Sequence, residues 1–202
     1  MTVLEESWQR AWHSLALTPA SGLCQRLIEA YGQAHRRYHS LQHLRECLDL
    51  LPPVRGLATH PGELELAIWF HDAVYDVKGK DNELRSAQWA ARELRQSGAS
   101  PDQAQRVHAL IMATCHTATA PDADSQLLVD IDLSILGADP ARFAQYDAQI
   151  RAEYRWVPGP IYRMKRKSVL RGFLDRPAIY GTPHFWSLYE AQARANLQAA
   201  LA

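Results

Sequence analysis

The stretch Leu64 to Tyr75, read Leu-Glu-Leu-Ala-Ile-Trp-Phe-His-Asp-Ala-Val-Tyr, constrains the fold more than any other part of this chain. Leu64, Ala67, Ile68, Phe70, Ala73 and Val74 leave little polar face, so the periodicity predicts a helix surrounded by protein rather than one lying on a surface. Only the adjacent His71 and Asp72 break its apolar end. An ionised carboxylate is costly to remove from water unless it is paired or coordinates a cation. On this stretch alone, a metal held jointly with His71 and a buried Asp-His hydrogen bond are equal readings.

The surrounding chain reads as further helices. Thr2 to Glu5 has the form of a capping box, and Trp8, Ala11, Trp12 and Leu15 follow at helical spacing, which predicts a helix from Val3 to Leu17. Leu23, Leu27, Ile28 and Tyr31 mark a second helix ending near Gly32. In Tyr38-His-Ser-Leu-Gln-His43, the two histidines are four apart and are expected on one helical face, with Pro52 and Pro53 stopping that helix. A helix from Asn82 to Gln96 and one opened by Ser100-Pro-Asp-Gln103 come next. Leu127 to Leu136 is apolar except for Asp130, Asp132 and Ser134, and Gly137 ends it. Asp139-Pro140 opens another helix, and the tail offers Ile161 to Leu174, basic on one side, and Pro183 to Ala202. No alternating strand pattern and no internal repeat is present, so the expectation is an all-α protein of about nine or ten helices.

Composition narrows the partners. Of the 202 residues, 47% are hydrophobic and 22% charged, which excludes a disordered chain, and 22 basic residues balance 22 acidic ones. A formal net charge of +0 advertises neither polymeric nucleic acid nor a membrane surface. Cys24, Cys47 and Cys115 are odd in number and widely spaced, without a C-x-x-C pair, which suggests neither a disulfide framework nor a thiolate zinc site. Reduced thiols, acids where a signal peptide needs a basic region, and no apolar run of bilayer length lead to the expectation of a soluble, cytoplasmic protein.

Three apolar helices thus carry imidazole or carboxylate groups where hydrocarbon belongs: His39 with His43, His71 with Asp72, and Asp130 with Asp132. A mixed nitrogen and oxygen donor set suits a divalent ion such as iron, manganese, cobalt, nickel or zinc. The order of these motifs resembles the HD-domain superfamily of metal-dependent phosphohydrolases, whose pattern is a His, a His-Asp doublet and a distant Asp. Tyr38-His39-Ser40-Leu41, Phe70-His71-Asp72 and the segment from Asp130 to Gly137 carry the likeness, across about residues 36 to 137. More narrowly, the chain is similar to a group of uncharacterised bacterial proteins, themselves predicted metal-dependent HD-domain phosphohydrolases, that extend the pattern through the C-terminal helices. The resemblance implies a single HD-type helical domain over 1–202, with helices 138–202 packing on the metal-site core.

Carried over residue by residue, the resemblance makes His39, His71, Asp72 and Asp132 ligands of one metal ion, magnesium being admissible beside the transition metals, with Asp130 the alternative to Asp132. Asp132 is preferred because Leu128, Val129, Ile135 and Leu136 surround it at helical spacing, which is expected to bury it. His43 either orients a ligand or packs beside the site. His116, at the end of an apolar helix, joins the pocket by the same likeness or is a plain structural histidine. Glu83 sits in a first helical turn, where an acid ordinarily answers the helix dipole, and is otherwise a general base or water-orienting group. Among the basic residues, Lys78, Arg163 and Arg166 are the candidates for a substrate phosphate. The implied activity is hydrolysis of a nucleotide or another small phosphate ester. The alternative is a metal-containing binding or regulatory module without turnover. The tail aromatics serve as core, pocket or homodimer face, with core the commonest use.

Overall fold

A computed structural model describes residues 2–116, 120 and 122–202. All regular structure among the described residues is helical, with ten α-helices and two short 3-10 segments. The helices are α1 (Val3–Ser14), α2 (Leu23–Tyr31), α3 (Leu41–Leu50), α4 (Pro61–Phe70), α5 (Asn82–Gln96), α6 (Pro101–Ala113), α7 (Ala123–Leu133), α8 (Pro140–Glu153), α9 (Gly159–Leu174) and α10 (Pro183–Leu201). They form two compact units, Met1–Val129 and Asp130–Ala202, and the division falls inside α7. No helix among the described residues is long and apolar enough to cross a membrane.

In the first unit, α4 is the central element. Every residue from Gly62 to Phe70 is buried, and α1, α3, α5 and α6 all pack on it. Burying each large apolar side chain stabilises the unit by about 1.5–3 kcal/mol. Gly62 permits the approach of α1: a Cβ there would strike the Leu15 side chain and stand 2.7 Å from Ser14 Cβ. The two acids of α4 are compensated rather than exposed. Glu65, with no exposed surface, accepts from Ser7 Oγ at 2.7 Å and from Arg10, and Arg106 grips Glu63 through two parallel bonds of 2.7 Å. Trp69 donates to Ser7 at 3.0 Å, and Trp8 lies edge-on to both Trp12 and Trp69.

The helix signals read in the sequence operate as expected at several ends. Thr2 with Glu5 and Ser100 with Gln103 both form reciprocal capping boxes, and Asp139 caps α8 by accepting from the amides of Ala141 and Arg142. Two motifs, however, lie outside the helices expected to carry them. Ser40, in an extended conformation, accepts from Gln42 N and caps α3, so the helix cannot reach back to His39. Helix α4 ends at Phe70 with His71 as its C-cap, so Asp72 stands beyond the helix.

The second unit is held by buried polar ties. Glu190 of α10 accepts from the amides of Ile179 and Tyr180 and from Arg194. Asn196 donates to the carbonyls of Leu136 and Ala138, and Tyr180 to that of Leu133. Helix α10 presses on the 3-10 turn Ser134–Gly137, where Gly137 is required because a Cβ would fall 2.7 Å from Tyr189. Helix α9 buries only Leu170 and exposes Ile161, Met164 and Val169.

Candidate metal centre

Where α4 ends, its last carbonyls leave a partial negative charge that favours a cation nearby. His71 is buried there, and its Nδ1 lies 2.8 Å from the carbonyl of Ile68. That bond places the ring proton on Nδ1 and leaves the Nε2 lone pair to face the site. His43, projecting from α3, brings its own Nε2 to 3.0 Å from that of His71. Asp72 Oδ2 lies 3.1 Å from His71 Nε2 and 3.5 Å from His43 Nε2. With metal–ligand bonds of about 2.1 Å, donor atoms stand about 3.0 Å apart at a right angle and about 3.4 Å apart at a tetrahedral one. The three atoms therefore have the spacing of one face of a coordination polyhedron, and the donor set fits a divalent ion.

In the metal-free site, burial by itself raises the Asp72 carboxyl, but the imidazoles of His71, His39 and His43, when protonated, outweigh it and hold the group far below the ordinary carboxylate range. Asp72 is accordingly an anion in its working state.

The backbone around the doublet is clamped from four directions. Arg36, only 4% exposed, donates to the carbonyls of Asp72 at 2.6 Å, Ala73 at 2.9 Å and His39 at 3.1 Å. Its guanidinium also faces the rings of Tyr31 and Tyr75, at 5.2 and 5.5 Å. Tyr31 accepts from the amide of Asp72, Ser86 accepts from that of Val74, and His35 Nε2 lies 2.8 Å from the carbonyl of Tyr75. These groups satisfy the main-chain atoms released as α4 stops, and they aim the doublet.

His39, in the turn before α3, stacks on Tyr75 with centroids 4.1 Å apart and stands 6.2 Å, ring to ring, from His43. Four of the residues singled out in the sequence, His39, His43, His71 and Asp72, thus gather in the first unit. Cys47 is a fifth member that sequence reasoning missed. Its buried sulfur lies 3.7 Å from His43 Nδ1 and 3.8 Å from Nε2, and it, His43 and His71 each offer a ligand atom within 4.8 Å of the others. The available signal was its position four residues after His43, on the same face of α3. Arg36 was also overlooked, because an arginine next to a motif carries no pattern until its carbonyl partners are known.

Asp130 and Asp132 belong to the second unit, and their burial reverses the expectation: Asp130 has no exposed surface, whereas Asp132 is half-buried. Asp130 is buried because both its oxygens are engaged, Oδ1 by the amide of Gly181 and Oδ2 by the amide and hydroxyl of Thr182. It anchors the start of α10, so Asp132 is the remaining ligand candidate of the pair. Glu83 lies in the first turn of α5, close enough to Cys115 for its charge to add to burial in raising that thiol. His116 follows α6 with a left-handed φ of 54°. Lys78 is exposed in the loop after the doublet. In the second unit Arg163 is exposed, whereas Arg166 is tied to Asp147 at 2.8 Å and covers the Tyr146 ring.

No family profile matches the chain, and no curated protein or solved structure matches it either.

Proposed function

We propose that the protein is a metal-dependent phosphohydrolase of the HD-domain type, acting on a nucleotide or another small phosphate ester. The observation that carries this reading is the convergence of His43 Nε2, His71 Nε2 and Asp72 Oδ2, mutually 3.0 to 3.5 Å apart, at the C-terminal end of a buried helix. A divalent ion, when bound, supplies Lewis acidity toward a phosphoryl oxygen and acidifies a water.

The chain's own residues perform the remaining work. His71, its proton held on Nδ1 by Ile68, presents a neutral donor nitrogen. Asp72 stays ionised and offsets the charge of the cation. Arg36 holds the main chain of His39 and of the doublet in one arrangement, which limits reorganisation when substrate arrives. On the likeness to HD-domain enzymes, His39 and Asp132 complete the ligand set, Glu83 orients water, and Lys78 and Arg163 meet the phosphate.

The test is a panel of nucleotides and generic phosphate esters assayed with added manganese, cobalt, nickel or magnesium, after metal analysis of protein purified without chelator. Bound metal and phosphate release that disappears in both His71→Ala and Asp72→Ala support the reading. Activity surviving in those variants refutes the assignment, and stoichiometric metal without turnover points to the binding-module alternative.

A further inference from the structure

Cys47 lies on the buried face of α3 beside His43, with Leu44 and Leu48 as its buried neighbours on that helix. A free buried cysteine ordinarily behaves as a small hydrophobe packed among hydrocarbon. This one is 2% exposed on the inner face of α3, and its sulfur stands 3.7 and 3.8 Å from the two ring nitrogens of His43. Within the first unit it joins His43 and His71 in a group whose ligand atoms lie within 4.8 Å of one another. At a tetrahedral angle, a sulfur bound at about 2.3 Å and a nitrogen bound at about 2.1 Å are separated by about 3.6 Å. The near-equal distances of 3.7 and 3.8 Å place the sulfur beside the His43 ring rather than beyond Nε2, so joining an ion held on Nε2 requires Cys47 to turn to another staggered rotamer. His43 and Cys47 are also one helical turn apart on a single element, so one rigid helix delivers both donors.

We propose that Cys47 is a metal ligand, making the centre a sulfur-bearing one that takes a borderline-soft ion of the zinc, cobalt or ferrous class in preference to magnesium or manganese. The inference rests on the metal-centre reading above and deepens it by naming the class of ion. Hard oxygen sets suit magnesium and calcium, whereas thiolate with imidazole selects zinc, cobalt and iron. On binding, the sulfur–metal bond forms as the thiol gives up its proton to the buffer.

Cobalt(II) titration of the metal-free full-length protein tests this, because cobalt reports occupancy and sulfur ligation in separate spectral regions. Wild type is expected to show visible ligand-field bands together with a near-ultraviolet sulfur-to-cobalt charge-transfer band. Cys47→Ser and Cys47→Ala are expected to keep the visible bands, lose the near-ultraviolet band, and bind zinc at least about tenfold more weakly. Visible bands without a charge-transfer band in wild type overturn the proposal while leaving the metal centre intact, and this readout does not depend on either variant folding. Persistence of the charge-transfer band in both variants also overturns it, assigning the sulfur to Cys24 or Cys115. Absence of any cobalt uptake removes both this inference and the reading on which it rests.

Discussion

Replacing Arg36 with alanine tests whether the doublet is held in place by its surroundings or by α4 alone. The guanidinium makes three bonds to main-chain carbonyls, two of them to the segment just beyond the helix and one to the turn that carries His39. A fourth goes to Gln33 Oε1 at 3.3 Å, and two tyrosine rings flank the cation. A hydrogen bond to a charged group contributes about 1.5–3 kcal/mol net, and a partly buried cation–π contact about 0.5–2 kcal/mol. The plain sum overstates the loss, since the variant no longer desolvates a buried charge. What remains is the cost of leaving buried carbonyls without a donor, about 1–3 kcal/mol each, so a destabilisation of about 3–5 kcal/mol is expected. Urea unfolding followed by tryptophan fluorescence measures it as a lower midpoint at unchanged slope. Arg36→Lys keeps the charge without the planar fork and should fall between the two. Because Arg36 aims the doublet, cobalt affinity should weaken about 10- to 100-fold in the alanine variant. A stability loss below about 1 kcal/mol with unchanged cobalt affinity refutes the reasoning, since it means the main chain at 71–73 keeps its course unaided.

Three other perturbations have defined outcomes. Asp130→Ala should destabilise the protein by about 2–4 kcal/mol, because two amides and a hydroxyl lose their acceptor, yet retain bound metal; Asp132→Ala should lose metal with little change in stability, and metal content after dialysis distinguishes them. The depressed carboxyl of Asp72 contributes stability that is fully present above its unfolded value of about 3.9 and is lost as pH falls through the lower folded value. Stability of metal-free Asp72→Asn should therefore fall less steeply than wild type below about pH 4, and equal slopes in acid unfolding series would contradict this. Gly62→Ala should cost about 1–3 kcal/mol by forcing α1 from α4, read as a lowered unfolding midpoint, although alanine is the better helix former.

Much of the fold was legible because helix ends are written locally. The capping boxes at Thr2 and Ser100, the aspartate cap at residue 139 and the uninterrupted apolar face of α4 depend on residues within one or two turns, so spacing alone reveals them. The gathering of imidazoles around His71 and Asp72 was legible for a different reason: charged groups on apolar segments need partners, and the order of the segments suggested which. Misplacements came where local signals competed. Ser40 captures the start of α3 and excludes His39 from the helix, and helix periodicity at 71–75 gave way to an irregular segment satisfied by Tyr31, Arg36, Ser86 and His35. The burial order of Asp130 and Asp132 was inverted because apolar neighbours in sequence do not reveal a carboxylate's hydrogen-bond donors, here some fifty residues away at Gly181 and Thr182.

By itself, then, the sequence determined the helical class of the protein, most helix ends and the residue types available for a cation, since each follows from short-range spacing and from the cost of burying charge. The tertiary structure decided which donors meet. The 3.0 Å approach of His43 to His71, the sulfur of Cys47 beside them and the grip of Arg36 on the doublet all join segments whose relative positions only packing sets. The physical reason is one of range: a cap or an apolar stripe is stabilised within a few residues, whereas a cluster of candidate ligands is assembled by segments meeting in a core, where angles and offsets follow from side-chain volumes throughout the unit.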